Sequence, residues 1–125
     1  MGAQVEETGR QIVDSALKVH KALGPGLLES AYEHCLAYEL VARGLVVARQ
    51  VPLPITYDGL TLDAGYRLDL LVDNSVVVEV KAVDAMTRLY EAQVLTHLKL
   101  SKLRLGFLIN FNVQVLRHGL TRMVL

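Results

Sequence analysis

The sequence predicts an α/β domain with a mixed β-sheet flanked by α-helices, and three observations carry that prediction. Hydrophobic periodicity runs in the order two helices, a set of strands, a helix, then more strands. At 125 residues the chain is one domain by length, with residues enough for one real core. Two runs, Tyr66-Arg67-Leu68-Asp69-Leu70-Leu71-Val72 and Val76-Val77-Val78-Glu79-Val80-Lys81-Ala82, are apolar enough to be buried strands.

Taken in order, residues 1–7 read as a loose tail. Thr8 to Leu23 carries a helical stripe of Ile12, Val13, Ala16, Leu17, Val19 and Leu23, and Gly24-Pro25-Gly26 breaks it. A second helix runs from about Leu27 to Arg43 and stops at Gly44. Leu45 to Val51 is strand-like, with Pro52 and Pro54 pointing to an edge. Leu53 to Tyr57 and Leu60 to Leu62 flank Asp58-Gly59, a strong hairpin signal. The two apolar strands follow, then a helix over about Thr87 to Leu100. Leu105 to Phe111, Val113 to Arg117 and Arg122 to Val124 read as short strands. With no repeat, low-complexity segment or linker, residues 1–125 are expected to form a single domain.

Composition narrows the partners. The hydrophobic fraction is 52% and mean hydropathy is +0.33, yet no apolar run approaches the roughly 20 residues of a membrane span. The excess fits a dense core and a homodimer interface. No secretory signal is visible, and the single cysteine, Cys35, excludes an internal disulfide. Both point to a cytoplasmic protein. Thirteen basic and thirteen acidic residues cancel, which argues against strong non-specific nucleic-acid binding but leaves room for a local basic groove.

Asp69, Glu79 and Lys81 are charges set into those apolar strands, and buried charges are costly unless paired with each other or with a metal. Alternation puts Glu79 and Lys81 on one face. If Asp73-Asn74-Ser75 forms a three-residue loop, Val72 pairs with Val76 and Asp69 falls opposite Glu79. A two-residue loop would put the carboxylates on opposite faces. On one face they lie about 5 Å apart at the backbone and suit a divalent cation with oxygen ligands, Mg²⁺ or Mn²⁺.

Both helix faces carry polar residues. Glu29 shares the apolar face of the second helix with Tyr32, Leu36 and Leu40, or serves as a first-turn carboxylate complementing the dipole. Gln93 and His97 share a face with Met86, Leu89, Tyr90 and Leu100, as a site or as a satisfied internal pair. The four histidines lack zinc-like spacing, no nucleophile elbow occurs, and Cys35 reads as a structural thiol. Arg43, Arg49, Lys99, Lys102 and Arg104 are either a solvated surface or a phosphate-contacting rim.

Gly26-Leu27-Leu28-Glu29-Ser30-Ala31-Tyr32 is a GxxExxY pattern. With Tyr66-Arg67-Leu68-Asp69, Glu79-Val80-Lys81-Ala82 and Leu108-Ile109-Asn110-Phe111-Asn112, it resembles the GxxExxY proteins of the PD-(D/E)xK nuclease-like superfamily, over roughly residues 10 to 125. The resemblance implies a restriction-endonuclease-like core and a metal-dependent nuclease. It implies catalytic roles for Glu29, Asp69, Glu79, Lys81 and Gln93. Mg²⁺ or Mn²⁺ would be held by Asp69, Glu79, the Val80 carbonyl and Glu29. His97, in place of the tyrosine of a QxxxY motif, and Tyr32 would contact a nucleic-acid substrate, with DNA the expected partner. Leu68 stands where the motif has proline. Two other readings fit the same residues: a non-catalytic binding module of the same fold, and a structural subunit in which Asp69, Glu79 and Lys81 form a buried salt-bridge network.

Overall fold

The computed structural model describes residues 1–125. Helices α1 (Ala3–Leu23) and α2 (Glu29–Ala42) are followed by strands β1 (Val47–Pro52), β2 (Ile55–Tyr57), β3 (Leu60–Leu62), β4 (Arg67–Val72) and β5 (Val76–Lys81). Helix α3 (Arg88–Ser101), β6 (Leu105–Asn110) and β7 (Leu120–Val124) complete the chain. The main sheet has the order β1-β4-β5-β6-β7, and β2-β3 is a separate hairpin. Only the β5–β6 pair is parallel, so the sheet is mixed, as expected.

Turn chemistry sets the register. Asp73 and Asn74 both adopt positive φ, which short polar side chains tolerate. The resulting loop spans all three residues and pairs Val72 with Val76, Leu71 with Val77 and Leu70 with Val78. Asp58 and Gly59 are likewise left-handed and close the β2–β3 hairpin.

The register divides the sheet into two faces. Val76, Val78 and Val80 join Ile12, Ala16, Tyr32, Leu36 and Leu40 in a 17-residue core under α1 and α2. Val77 faces the other way, into a 7-residue cluster with Val94 and Leu98 of α3. Each fully buried aliphatic side chain contributes about 1.5–3 kcal/mol, so the α1/α2 face carries most of the stability. Gly106 seats α3 on the thinner face: a Cβ there would lie 3.2 Å from Val94 Cγ1.

Two expectations are corrected. The loose tail expected over residues 1–7 is helical from Ala3, tied by Arg10 to Glu7 and by Arg122 to Glu6. Val113 to Arg117 is not a strand but a loop leading into a 3-10 turn, Leu116–His118. Its main chain is held from outside: His20 Nε2 lies 2.7 Å from the Val113 carbonyl, and Leu116 is buried in the core. Gly119 ends the loop against β6, its N–H donating to the Leu116 carbonyl and its own carbonyl accepting from Asn110 N–H. A Cβ at position 119 would strike the Asn110 carbonyl, which is backbone and cannot swing aside. Gly119→Ala should therefore cost about 1–3 kcal/mol, read as a lower midpoint in chemical denaturation. An unchanged midpoint would show that the loop yields freely.

Candidate active site

Alternation along β5 turns Glu79 and Lys81 toward α3, on the face of Val77. One step past the last recorded β4–β5 pair, Leu70 with Val78, Asp69 comes level with Glu79. The ladder does not continue there. Val80 N–H donates to Asp69 Oδ2 at 2.8 Å, so a side chain takes the donor that strand backbone would otherwise accept. In an extended strand a residue's N–H and C=O point to the same neighbour, so the Val80 carbonyl faces this opening too.

The other edge of β4 is irregular at the same point. The β1–β4 register skips Gln50 and Asp69, and Gln50 has φ of 51°. Its amide donates to Glu33 Oε1 at 2.7 Å and reaches Asp69 Oδ1 at 3.4 Å. Glu33, buried, also accepts from Arg49 at 2.8 Å. Leu68 and Leu70, two residues apart, lie in different clusters, so the strand rotates at Asp69.

Asp69, Glu79, Lys81, Gln93 and His97 line one cleft of about 170 Å³, together with Tyr66, Arg67 and Tyr90. Of Asp69, Glu79 and Lys81, only Glu79 is buried, at 6% exposure; Asp69 and Lys81 are partly open. His97 Nδ1 lies 2.9 Å from Glu79 Oε1. Burial pushes the Glu79 carboxyl up to about 7; the hydrogen bond to His97 opposes this and the charge of Asp69 adds to it. Lys81 enters no ion pair within 4 Å and instead holds Nζ 4.8 Å from the Tyr90 ring centroid, a cation–π contact. The buried salt-bridge network is therefore not formed.

Two expected site residues lie elsewhere. Tyr32 is fully buried, stacked on Phe111 with ring centroids 4.7 Å apart. Its hydroxyl donates to the Gly24 carbonyl at 2.6 Å and accepts from Leu27 N–H at 3.1 Å. It fastens the glycine turn and cannot touch a substrate. Glu29 is exposed at the start of α2, its carboxylate 3.4 Å from Ala82 N–H, one residue beyond Lys81 but outside the cleft lining. The basic rim also divides. Arg43 bonds Glu39 and Gln11, Arg49 bonds Glu33, and Arg104 precedes the β6 end opposite Lys81. The cleft cations are Lys81 and Arg67 instead. Arg67 was legible as the residue two before Asp69; Gln50 gave no sequence signal, because a left-handed glutamine is not marked by its residue type.

No three His, Cys, Asp or Glu side chains cluster tightly enough to form a metal site by themselves. The donors that do meet, two carboxylates and the Val80 carbonyl, are all oxygen. Such a set fits a hard cation that keeps several waters, as Mg²⁺ does.

A family model for the PD-(D/E)XK nuclease superfamily matches residues 6–123. The chain belongs to the PD-(D/E)XK nuclease superfamily. The five-stranded mixed sheet flanked by helices is consistent with that fold. Membership points to a nuclease-like function and nucleic-acid binding, and nucleases of this superfamily typically use divalent metals. Neither the curated proteins nor the solved structures include a match. No helix is long and apolar enough to cross a membrane.

Two predictions follow from the geometry. Tyr32→Phe removes the two hydrogen bonds that fasten the part-buried glycine turn and should cost about 0.5–1.5 kcal/mol for each, while titrations of the cleft stay unchanged; altered cleft behaviour would contradict a purely structural Tyr32. Glu79 has a carboxyl raised from 4.5 to about 7, so its stabilising contribution is complete below about pH 4.5 and is lost as pH rises through about 7. Relative to Glu79→Gln, the chelator-treated wild type should lose about 3 kcal/mol between those limits and above. Denaturation midpoints across pH check this, and a constant difference would indicate an ordinary carboxyl.

Proposed function

We propose that this chain is a metal-dependent nuclease of the GxxExxY branch of its superfamily, hydrolysing nucleic-acid phosphodiester bonds, with DNA the expected substrate. The branch assignment rests on Gly26, Glu29 and Tyr32 at their spacing and on the later motifs in order. The observation that carries the activity is one cleft holding Asp69, Glu79, Gln93 and an amine, Lys81, that neither carboxylate neutralises.

Asp69, Glu79 and the Val80 carbonyl would hold Mg²⁺ or Mn²⁺. A cation there supplies Lewis-acid polarisation of the phosphate and a water of lowered pKa. Asp69 would present Oδ1 to it, where the Gln50 amide makes only a long 3.4 Å approach, since Oδ2 already accepts from Val80 N–H at 2.8 Å. His97 fixes one oxygen of Glu79 and so orients the other; this is a positioning role, in place of the substrate contact expected from the motif. Glu29 reaches the same strand end from the α2 side, and its part would be through water. Lys81, steadied by Tyr90, would orient the attacking water and offset charge developing on the phosphate. Gln93, exposed at the cleft mouth, would bond a phosphate oxygen.

Zero formal net charge favours one other reading, a non-catalytic binding module. The two separate by experiment. With Mg²⁺ or Mn²⁺ and a panel of DNA and RNA substrates, wild-type protein should cleave at least one. Lys81→Ala and Asp69→Ala should each lose about 10²-fold or more. Calorimetry should show Mn²⁺ binding to wild type and its loss in Asp69→Ala. Cleavage by both variants unchanged from wild type would sink the nuclease reading, and no metal binding at millimolar Mn²⁺ would favour the module.

A further inference from the structure

The catalytic cleft does not end at Gln93 and His97. A shallow annex of about 250 Å³ continues from it, with Tyr66, Gln93 and His97 lining both. Its remaining walls come from Ile55 beside the β2–β3 hairpin's start and from Leu89 and Leu100 of α3, and no Asp, Glu, Lys or Arg lines it. Tyr66 is 50% and Leu89 64% exposed, so two large apolar side chains stand open beside the cleft. The Tyr66 platform is anchored at its main chain. Its carbonyl accepts from both Leu53 N–H and the Arg67 guanidinium, each at 2.9 Å.

Charge argues the same way. Duplex binding leans on many phosphate contacts, whereas this cleft offers Lys81 and Arg67, and the chain has no net positive charge. An exposed ring beside an uncharged apolar wall suits the face of an unpaired base, which stacks on aromatic side chains irrespective of sequence. A base inside a duplex cannot reach such a wall without leaving its stack. We propose that the annex is a base-binding subsite, and that the substrate is a single-stranded or unpaired segment whose base beside the scissile phosphate stacks on Tyr66. This rests on the nuclease reading of the cleft and names its substrate class.

Fluorescence anisotropy tests it, with Lys81→Ala protein in Mn²⁺ so that cleavage does not intervene. The probes are a labelled single-stranded DNA, the same sequence as RNA, and the DNA duplex. One or both single strands should bind about tenfold or more tighter than the duplex, and the tighter of the two identifies the sugar. Adding Tyr66→Ala should weaken single-strand binding at least about fivefold, the lower end of one stacked base. Tyr66→Phe should retain it, and Leu89→Ser should weaken it without changing the circular dichroism spectrum. Duplex binding as tight as single-strand binding, no binding to any probe, or indifference to Tyr66→Ala would overturn the subsite. Cleavage by wild type is scored separately on the same strands. Stacking-dependent binding without cleavage keeps the subsite and removes the nuclease reading; cleavage indifferent to Tyr66 does the reverse.

Discussion

The site depends on one hydrogen bond, from Val80 N–H to the Asp69 carboxylate. Where β4 and β5 would go on pairing after Leu70 and Val78, this bond substitutes a side chain for strand backbone. The strands part, and the Val80 carbonyl is left facing the gap beside two carboxylates. On the far side of β4 the same residue meets Gln50 in a left-handed conformation, which costs about 1–3 kcal/mol for a residue with a side chain. That conformation brings the Gln50 amide to Glu33 Oε1, within 3.4 Å of Asp69 Oδ1. Buried Glu33 is in turn held by Arg49. Asp69 is thus fixed from both sides of its strand.

The charges in the cleft are arranged against their own mutual neutralisation. A sheet selected for stability alone would pair Lys81 with Glu79 or replace both with apolar residues. Here Lys81 leans over Tyr90, and Glu79 is left with His97 and the repulsion of Asp69. Burial does most to raise the Glu79 carboxyl, and the charge of Asp69 adds to that frustration. A cation between the carboxylates would relieve it, which links the cost of the empty arrangement to the affinity of the filled one.

How far the sequence revealed this depends on which physical rule placed each residue. Asp69, Glu79 and Lys81 were legible because strand alternation and a three-residue Asp-Asn-Ser loop leave one register. Gln93 and His97 were legible because helical spacing puts them on one face, and that face meets the sheet. Tyr32 and Glu29 were not. A helical wheel gives the side of the helix but not the height along it, and both lie near the start of α2, close to the glycine turn rather than the cleft. The Val113–Arg117 segment looked like a strand by its apolar alternation. A contact distant in sequence, from His20 to the Val113 carbonyl, and the burial of Leu116 in the core override that local pattern.

The two sheet faces divide labour unequally. Beneath α1 and α2 the 17-residue cluster closes the core. Helix α3 buries only Val94 and Leu98, and it approaches the sheet because Gly106 presents no side chain to it. A thin layer of this kind opens at lower free energy than a deep one, so placing Gln93 and His97 on it has a cost in rigidity. Three contacts offset that cost at the cleft: His97 to Glu79, Tyr90 to Lys81, and the doubly bonded Tyr66 carbonyl at the hairpin side. The thinness also has a use. A fully covered α3 face would bury Leu89 and the Tyr66 ring, and the cleft would end at its charged residues. Because the cover stops short, charged cleft and apolar annex form one continuous surface, which is the shape that the proposed substrate, a phosphate with its own base attached, would require.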